Sequence, residues 1–225
     1  VKVGVFCVIR VYADIFGIQV LQDLDGEDWM IGLACATILI SSLIALSQDN
    51  LKRRLAFSTI GQLGYVVLGA TLATEQGVGG SVLHIAMHAC GKITLFFCAG
   101  AIYVSTKITK ISDLNGLGHK MPLTFIAFSI GALSIIGIPP FGGSWSKFYL
   151  LLGAAQSELT IIIIILAIST LLNTYYLLDP VFRAFFMDKN ESIKSTNHPL
   201  TVYPAVCSAF IVLLLFFYIE PLLEL

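Results

Sequence analysis

His84, His88 and Lys92 stand at i, i+4 and i+8 inside an otherwise apolar stretch, Ser81 to Tyr103. At about 100° per residue each step of four advances only about 40°, so the three side chains form one stripe rising about 12 Å along a single helix face. An amine and two imidazoles in such a stripe have the geometry of a proton relay. Ionisable residues at membrane depth cost about 2.5 to 3.5 kcal/mol each on insertion scales, so they face a bundle interior or a wet cavity and mark a pathway. Holding helices together is the plainer role, but Ser, Thr or small residues fill it at lower cost.

A second candidate is Lys147, which follows Pro139, Pro140, Gly142 and Gly143 in the run Gly-Gly-Ser-Trp-Ser-Lys. Prolines and glycines inside an apolar segment interrupt its helical hydrogen bonding, and hydrocarbon cannot satisfy the carbonyls and amides this frees. A titratable amine next to an unwound backbone is the arrangement that transporters use for ion sites. The alternative is a lysine reaching for a headgroup, but another apolar turn, Phe148 to Leu152, follows before any polar loop. A third polar line, Ser58, Gln62 and Tyr65 at i, i+4 and i+7, gives one helix face able to hydrogen-bond water or a neighbouring helix, with packing the stronger expectation. Arg10 and Asp14, at i and i+4, can neutralise each other, and Asn173 reads as interhelical glue.

These residues need apolar elements to hold them, and the composition supplies them. Hydrophobic residues make up 57% of the 225 residues and charged ones 12%, with a mean hydropathy of +0.89. That is an integral membrane protein. No basic tract with interleaved aromatics points to nucleic acid. Cys7, Cys35, Cys90, Cys98 and Cys207 lie in apolar stretches without metal-site or redox spacing. No phosphate-cradling glycine loop, metal-ligand constellation or activated nucleophile stands out, so the reading includes no catalytic residue, no metal and no cofactor. The chain opens inside an apolar stretch without a signal-peptide layout and reads as part of something longer.

Seven apolar segments reach the length a hydrocarbon core of about 30 Å requires: residues 1–20, 29–47, 55–74, 79–104, 122–156, 159–182 and 199–220. The fifth would be about 52 Å long as a straight helix, so it is one broken crossing or two short ones. Loop charge decides. Lys52 to Arg54, Lys107 to Lys120 and Arg183 to Lys194 hold basic residues in alternate loops, whereas the loops between carry Asp23, Asp25, Glu27, Asp28, Glu75 and Glu158. One crossing puts every basic loop on the cytoplasmic side; two would break the positive-inside rule. The expected fifth segment is helix from about Pro122 to Ile138, irregular at Pro139 to Gly143, and helix again from about Ser144.

Four stretches then form a recognisable pattern: Asp49 to Tyr65 (DNLKRRLAFSTIGQLGY), His84 to Lys92 (HIAMHACGK), Gly116 to Pro122 (GLGHKMP) and Gly137 to Lys147 (GIPPFGGSWSK). They resemble the proton-conducting antiporter-like membrane subunits, a family that includes the Mrp-type multisubunit cation/proton antiporters and the antiporter-like subunits of respiratory complex I and membrane-bound hydrogenases. The wording around Gly91 to Gly100 is most similar to the D-type subunit of the Mrp antiporters. The resemblance implies an all-α, polytopic transmembrane helix bundle. Residues 1–20 would be the last helix of a first repeat, 29–182 a second inverted five-helix repeat with one discontinuous helix, and 199–220 an additional C-terminal helix.

By the same resemblance, His84, His88 and Lys92 match the central relay helix, Lys147 the lysine of the broken helix, and Lys2, in Val-Lys-Val-Gly, the lysine closing the first repeat. The implied function is a subunit of a monovalent cation (Na+)/proton antiporter in the plasma membrane, most simply a bacterial inner membrane. The alternative is a proton-translocating subunit of complex I or a hydrogenase, hence part of a redox-driven enzyme, and a further alternative is a non-conducting scaffold. The implied partners are other membrane subunits, lipid, protons and a monovalent cation, with no nucleic acid. Two departures stand out: Gly61 replaces a common Ser, and Cys90-Gly91 replaces two bulkier aromatic residues, which predicts looser packing near the relay.

Overall fold

The computed structural model describes residues 2–17, 20, 28–188 and 199–218. Among them it holds eight α-helices: α1 (Lys2–Arg10), α2 (Asp28–Ser47), α3 (Leu51–Thr71), α4 (Glu75–Thr106), α5 (Pro122–Ile136), α6 (Gly143–Gln156), α7 (Thr160–Phe186) and α8 (Pro199–Phe217). Four are long and apolar enough to cross a membrane, over Trp29–Ser47, Glu75–Thr106, Thr160–Phe186 and Pro199–Phe217, and Pro122–Ile136 is a shorter apolar helix. Outward side chains such as Leu33, Leu171 and Phe210 are exposed apolar groups, as a membrane helix requires where it meets lipid or another apolar surface.

The first segment departs from a continuous helix through residue 20. After α1 the backbone widens into a π-helix, Val11–Phe16, which closes at Gly17 with φ 79°. Arg10 and Asp14 do pair, at 2.7 Å, on an exposed face of that turn.

Local chemistry sets the helix ends. The Asn50 side chain accepts from the Arg53 amide at 3.1 Å and caps α3, and Thr74 does the same for Gly77 at the start of α4. The first cap moves the α3 start to Leu51, so Lys52, Arg53 and Arg54 lie in its first turn and not in a loop as the sequence suggested. Pro122 opens α5 at a position where its missing amide costs nothing, and Gly137, at φ 92°, ends it.

α5 and α6 are two halves of one interrupted segment, with the irregular stretch spanning residues 137–142. Helix thus stops two residues earlier and resumes one residue earlier than expected. The Gly143 amide donates to the Ser134 hydroxyl at 3.2 Å, so a side chain of the first half satisfies a backbone donor of the second. Gly143 is required there: a Cβ would come within 1.9 Å of the Ser134 carbonyl oxygen.

The two ends of the bundle differ. At one end Asn50 and Lys110 form a backbone bridge, Leu51 donates to the Thr109 carbonyl, and Gly116 donates to the Arg183 carbonyl. The loops carrying Lys107 to Lys120 therefore meet the first turn of α3 and the last turn of α7; Lys189 and Lys194 lie outside the described residues. Asp49 accepts from the Ser112 amide and hydroxyl at this end. Slight burial works against its charge, but the two Ser112 hydrogen bonds, with Lys110 and Arg54 nearby, outweigh it and hold the carboxyl below its usual range. At the other end Gly153 of α6 sits directly on Gly77 of α4, bringing the Glu158 turn beside Glu75.

Candidate functional site

Every relay residue of α4 points into the bundle: His84, His88 and Lys92 are 3%, 3% and 5% exposed. The polar line of α3 faces two of them, Lys92 and His84. Lys92 Nζ donates to Ser58 Oγ at 2.7 Å and to the Leu55 carbonyl at 3.0 Å. His84 Nε2 lies 3.1 Å from Gln62 Oε1, and its ring stacks on Tyr65 at 5.6 Å between centroids. Ser58, Gln62 and Tyr65 thus belong to the site as direct partners, not to packing alone.

Lys147 lies where the break frees backbone. Its Nζ donates to the Ile136 carbonyl at 2.9 Å, lies 3.4 Å from Thr170 Oγ1, and stands 5.0 Å from the centre of the Tyr65 ring. With Gly137 ending α5 in the left-handed region, this carbonyl has no α-helical amide to receive, and the ammonium takes that place. A cleft of about 800 Å³ opens beside it, walled by Pro139, Trp145, Phe148 and Leu171.

Lys147 meets the α4 row through the residue before it. His84 Nδ1 lies 2.9 Å from Ser146 Oγ, on the residue before Lys147, and Ser146 donates to the Gly143 carbonyl at 3.0 Å. The His84 and His88 rings stack 5.9 Å apart, inclined by only 8°. Neither His88 nitrogen, nor Gln62 Nε2, has a hydrogen-bond partner among the described residues. Lys2, on α1, packs beside α3 and α4, and its charge lies within electrostatic reach of His84, His88, Lys92 and Cys90. No direct hydrogen bond joins it to them among the described residues.

Sequence reasoning missed several members of this cluster. Tyr176 donates from its hydroxyl toward Ser58, 3.1 Å away, and toward Asn173 Oδ1. Asn173 is therefore bound into the site and is more than glue between helices. Below it, Arg54 donates to the Tyr176 carbonyl at 3.2 Å and pairs with Asp179 at 2.8 Å, and Asp179 also pairs with Arg183. Arg54 is 7% exposed, so the basic run at 52–54 contributes one residue to the interior and not three charges to a loop. The α7 signal was readable only as Asn173, Tyr176 and Asp179 at i, i+3 and i+6, a weak helical spacing.

The packing around the relay also differs from expectation. A Cβ on Gly61 would meet Ser41 Oγ at 2.6 Å, and one on Gly91 would meet Ile135 at 3.0 Å. These glycines bring helices together instead of loosening them. No group of three or more His, Cys, Asp or Glu side chains converges on a metal position among the described residues.

Comparison with known proteins identifies the family and the fold. NADH-quinone oxidoreductase subunit N of Desulforudis audaxviator (strain MP104C) is 40% identical over 157 residues, covering 70% of this chain and 31% of that protein. NAD(P)H-quinone oxidoreductase chain 4 of the Staurastrum punctulatum chloroplast is 28% identical over 220 residues, 94% of this chain and 41% of that one. The chain thus spans about a third to two fifths of the length of these relatives. The fold recurs in the Mrp complex from Dietzia sp. DQ12-45-1b, with TM-score 0.86, 24% identity, and coverage of 99% of this chain and 49% of that one. It recurs again in respiratory complex I from Thermus thermophilus with bound NADH, at TM-score 0.80, 20% identity, and coverage of 96% and 48%. The family described as NADH:quinone oxidoreductase/Mrp antiporter, transmembrane, matches residues 1–173, and the chain belongs to that family.

Proposed function

We propose that this chain is part of a membrane subunit that carries protons along a buried row of lysines and histidines inside a multisubunit complex. The observation that carries the reading is Lys147, whose ammonium sits on the carbonyl freed by the helix break and next to Ser146, the partner of His84. An amine held this way binds and releases a proton without moving through lipid, and an imidazole can accept at one nitrogen while releasing at the other. Lys92 and Lys147 act as proton stations, and His84 and His88 stand between them. Lys2 is the station toward another repeat, to which the segment 1–20 belongs. Residues 29–182 form the second inverted repeat, and α8 (Pro199–Phe217) is an additional helix.

On this reading the subunit works with other membrane subunits in the plasma membrane, in a bacterium the inner membrane. It exchanges protons for a monovalent cation, Na+. A second reading, favoured by the 40% identity to a quinone oxidoreductase subunit, is that redox chemistry in partner subunits drives the same row, which makes the chain part of an enzyme. The drivers separate the two. Inverted vesicles carrying the complete complex and a pH-sensitive dye respond to added NaCl if the exchange is cation-driven, and to NADH if it is redox-driven. Lys92→Ala and Lys147→Ala should each lower the driven flux about tenfold or more with the complex still assembled on a blot. Full flux in both variants would leave a non-conducting scaffold as the better description.

A further inference from the structure

The break at residues 137–142 is touched by a helix outside the pair it separates. α8 packs on α4, α5 and α6, and three polar contacts fix it there. The Trp145 indole nitrogen donates to the Phe216 carbonyl at 3.1 Å, and the two rings stand 5.8 Å apart between centroids. The Gly142 amide lies 3.5 Å from the Val212 carbonyl. On α4, the Thr94 hydroxyl donates to Ser208 Oγ at 3.0 Å, while Ser208 turns its own hydrogen to the Ala205 carbonyl.

These contacts follow from the chemistry of a helix end and of glycine. α8 stops at Phe217, so the Phe216 carbonyl is among the last four, which no amide of the helix reaches. In an apolar surrounding it takes a donor from elsewhere, and an indole N–H can only donate. Gly142 comes close because it has no Cβ: one there would meet Met87 Sδ of α4 at 2.7 Å and Leu215 Cβ of α8 at 3.2 Å. The last residue of the break is thus wedged between the relay helix and α8. Trp145 stands two residues before Lys147, and both line the same cleft with Phe216.

We infer that α8 sets the position of the broken helix, with Trp145 the positioning residue through which it keeps Lys147 on the Ile136 carbonyl. The inference rests on the relay reading and adds an element that bears none of its proton carriers. Lys147 reaches Ile136 across the break, so that hydrogen bond lasts only while the two half-helices keep their spacing. The Gly143 amide on Ser134 holds the spacing from within, and Trp145 and Gly142 hold it from α8. A misplacement of about 1 Å costs a reaction up to about a hundredfold. Packing alone would use the Trp145 ring and not its N–H.

The test uses Trp145→Phe in the complete, assembled complex, which keeps an aromatic ring and removes the donor. Driven proton flux should fall about tenfold, and its pH profile should shift, because Lys147 changes its surroundings while Tyr65 of α3 and His84 of α4 still face it. Full flux, or a lower thermal midpoint with an unshifted profile, overturns the positioning role. Should Trp145→Phe fail to assemble, Thr94→Cys with Ser208→Cys in a cysteine-free background decides. Oxidation by copper phenanthroline should join α4 to α8 and leave flux within about twofold, since a fixed strut loses nothing by being tied. Failure of the pair to join, or flux lost on oxidation and regained with dithiothreitol, overturns α8 as a fixed support. If Lys147→Ala abolishes flux while Trp145→Phe leaves it whole, the support alone fails and the relay stands. If Lys147→Ala retains flux, the relay itself fails.

Discussion

Replacing Lys147 by arginine separates a proton carrier from a fixed charge. Arginine keeps the positive charge and can still donate toward the Ile136 carbonyl, but with a pKa above about 12 it does not release its proton. Lys147→Arg should therefore fail to transport about as fully as Lys147→Ala, measured as dye response in inverted vesicles against a blot for assembled complex. Full flux in the arginine variant would reduce Lys147 to a static charge. The lysines and histidines were legible in the sequence because charge in an apolar stretch is rare enough to be informative. Thr94, Tyr176 and Ser208 were not. Hydroxyls in apolar helices commonly bond their own backbone, as Thr59 does to the Leu55 carbonyl and Ser129 to the Phe125 carbonyl. Nothing local distinguishes those from hydroxyls that meet across helices.

Among the elements, the broken helix carries the chemistry, and its break is held by contacts as much as by proline. The sequence pattern of two prolines and two glycines located the interruption to within about two residues, because missing amides and glycine conformations act locally. It did not reveal that Gly143 packs its α-carbon against the Ser134 carbonyl, a contact nine residues away. Gly143→Ala should thus push the two half-helices apart and lower stability by about 1 to 3 kcal/mol or more, the usual cost of overpacking. It should also lower flux by moving Lys147 off the Ile136 carbonyl. Gly79→Ala is the control, since a Cβ there meets nothing within 4 Å, and helix propensity favours alanine. Thermal unfolding of the purified complex in detergent compares them. Equal midpoints would show that the junction yields freely. The α3 start was misjudged for a related reason: Asn50 caps the helix at the Arg53 amide and an ion pair with Asp179 draws Arg54 into the bundle, and hydropathy registers neither contact.

At the scale of the whole molecule, charge and connectivity agree on a single topology. Had the fifth segment crossed twice, the turn at Glu158 and the end of α7 would have exchanged sides. Instead α6 delivers Gly153 onto Gly77 beside Glu75, and α7 returns to Arg183, whose carbonyl receives the Gly116 amide. The alternation of basic and acidic loops, readable from composition alone, thus has a physical counterpart in which loops touch. What it could not supply was the interior arrangement, because helices apolar on nearly all faces carry little directional signal. The topology predicts four labels. In a cysteine-free background of the complete complex, single cysteines at Lys110 and Asp188 should react with a membrane-impermeant maleimide from the cytoplasmic face, following the positive-inside rule. Cysteines at Glu75 and Glu158 should react only from the opposite face. All four residues are exposed at the bundle ends, so poor reactivity through burial is not expected in this chain. Labelling of positions 158 and 188 from the same face would require α7 to begin and end on one side. That would dismantle the single broken crossing.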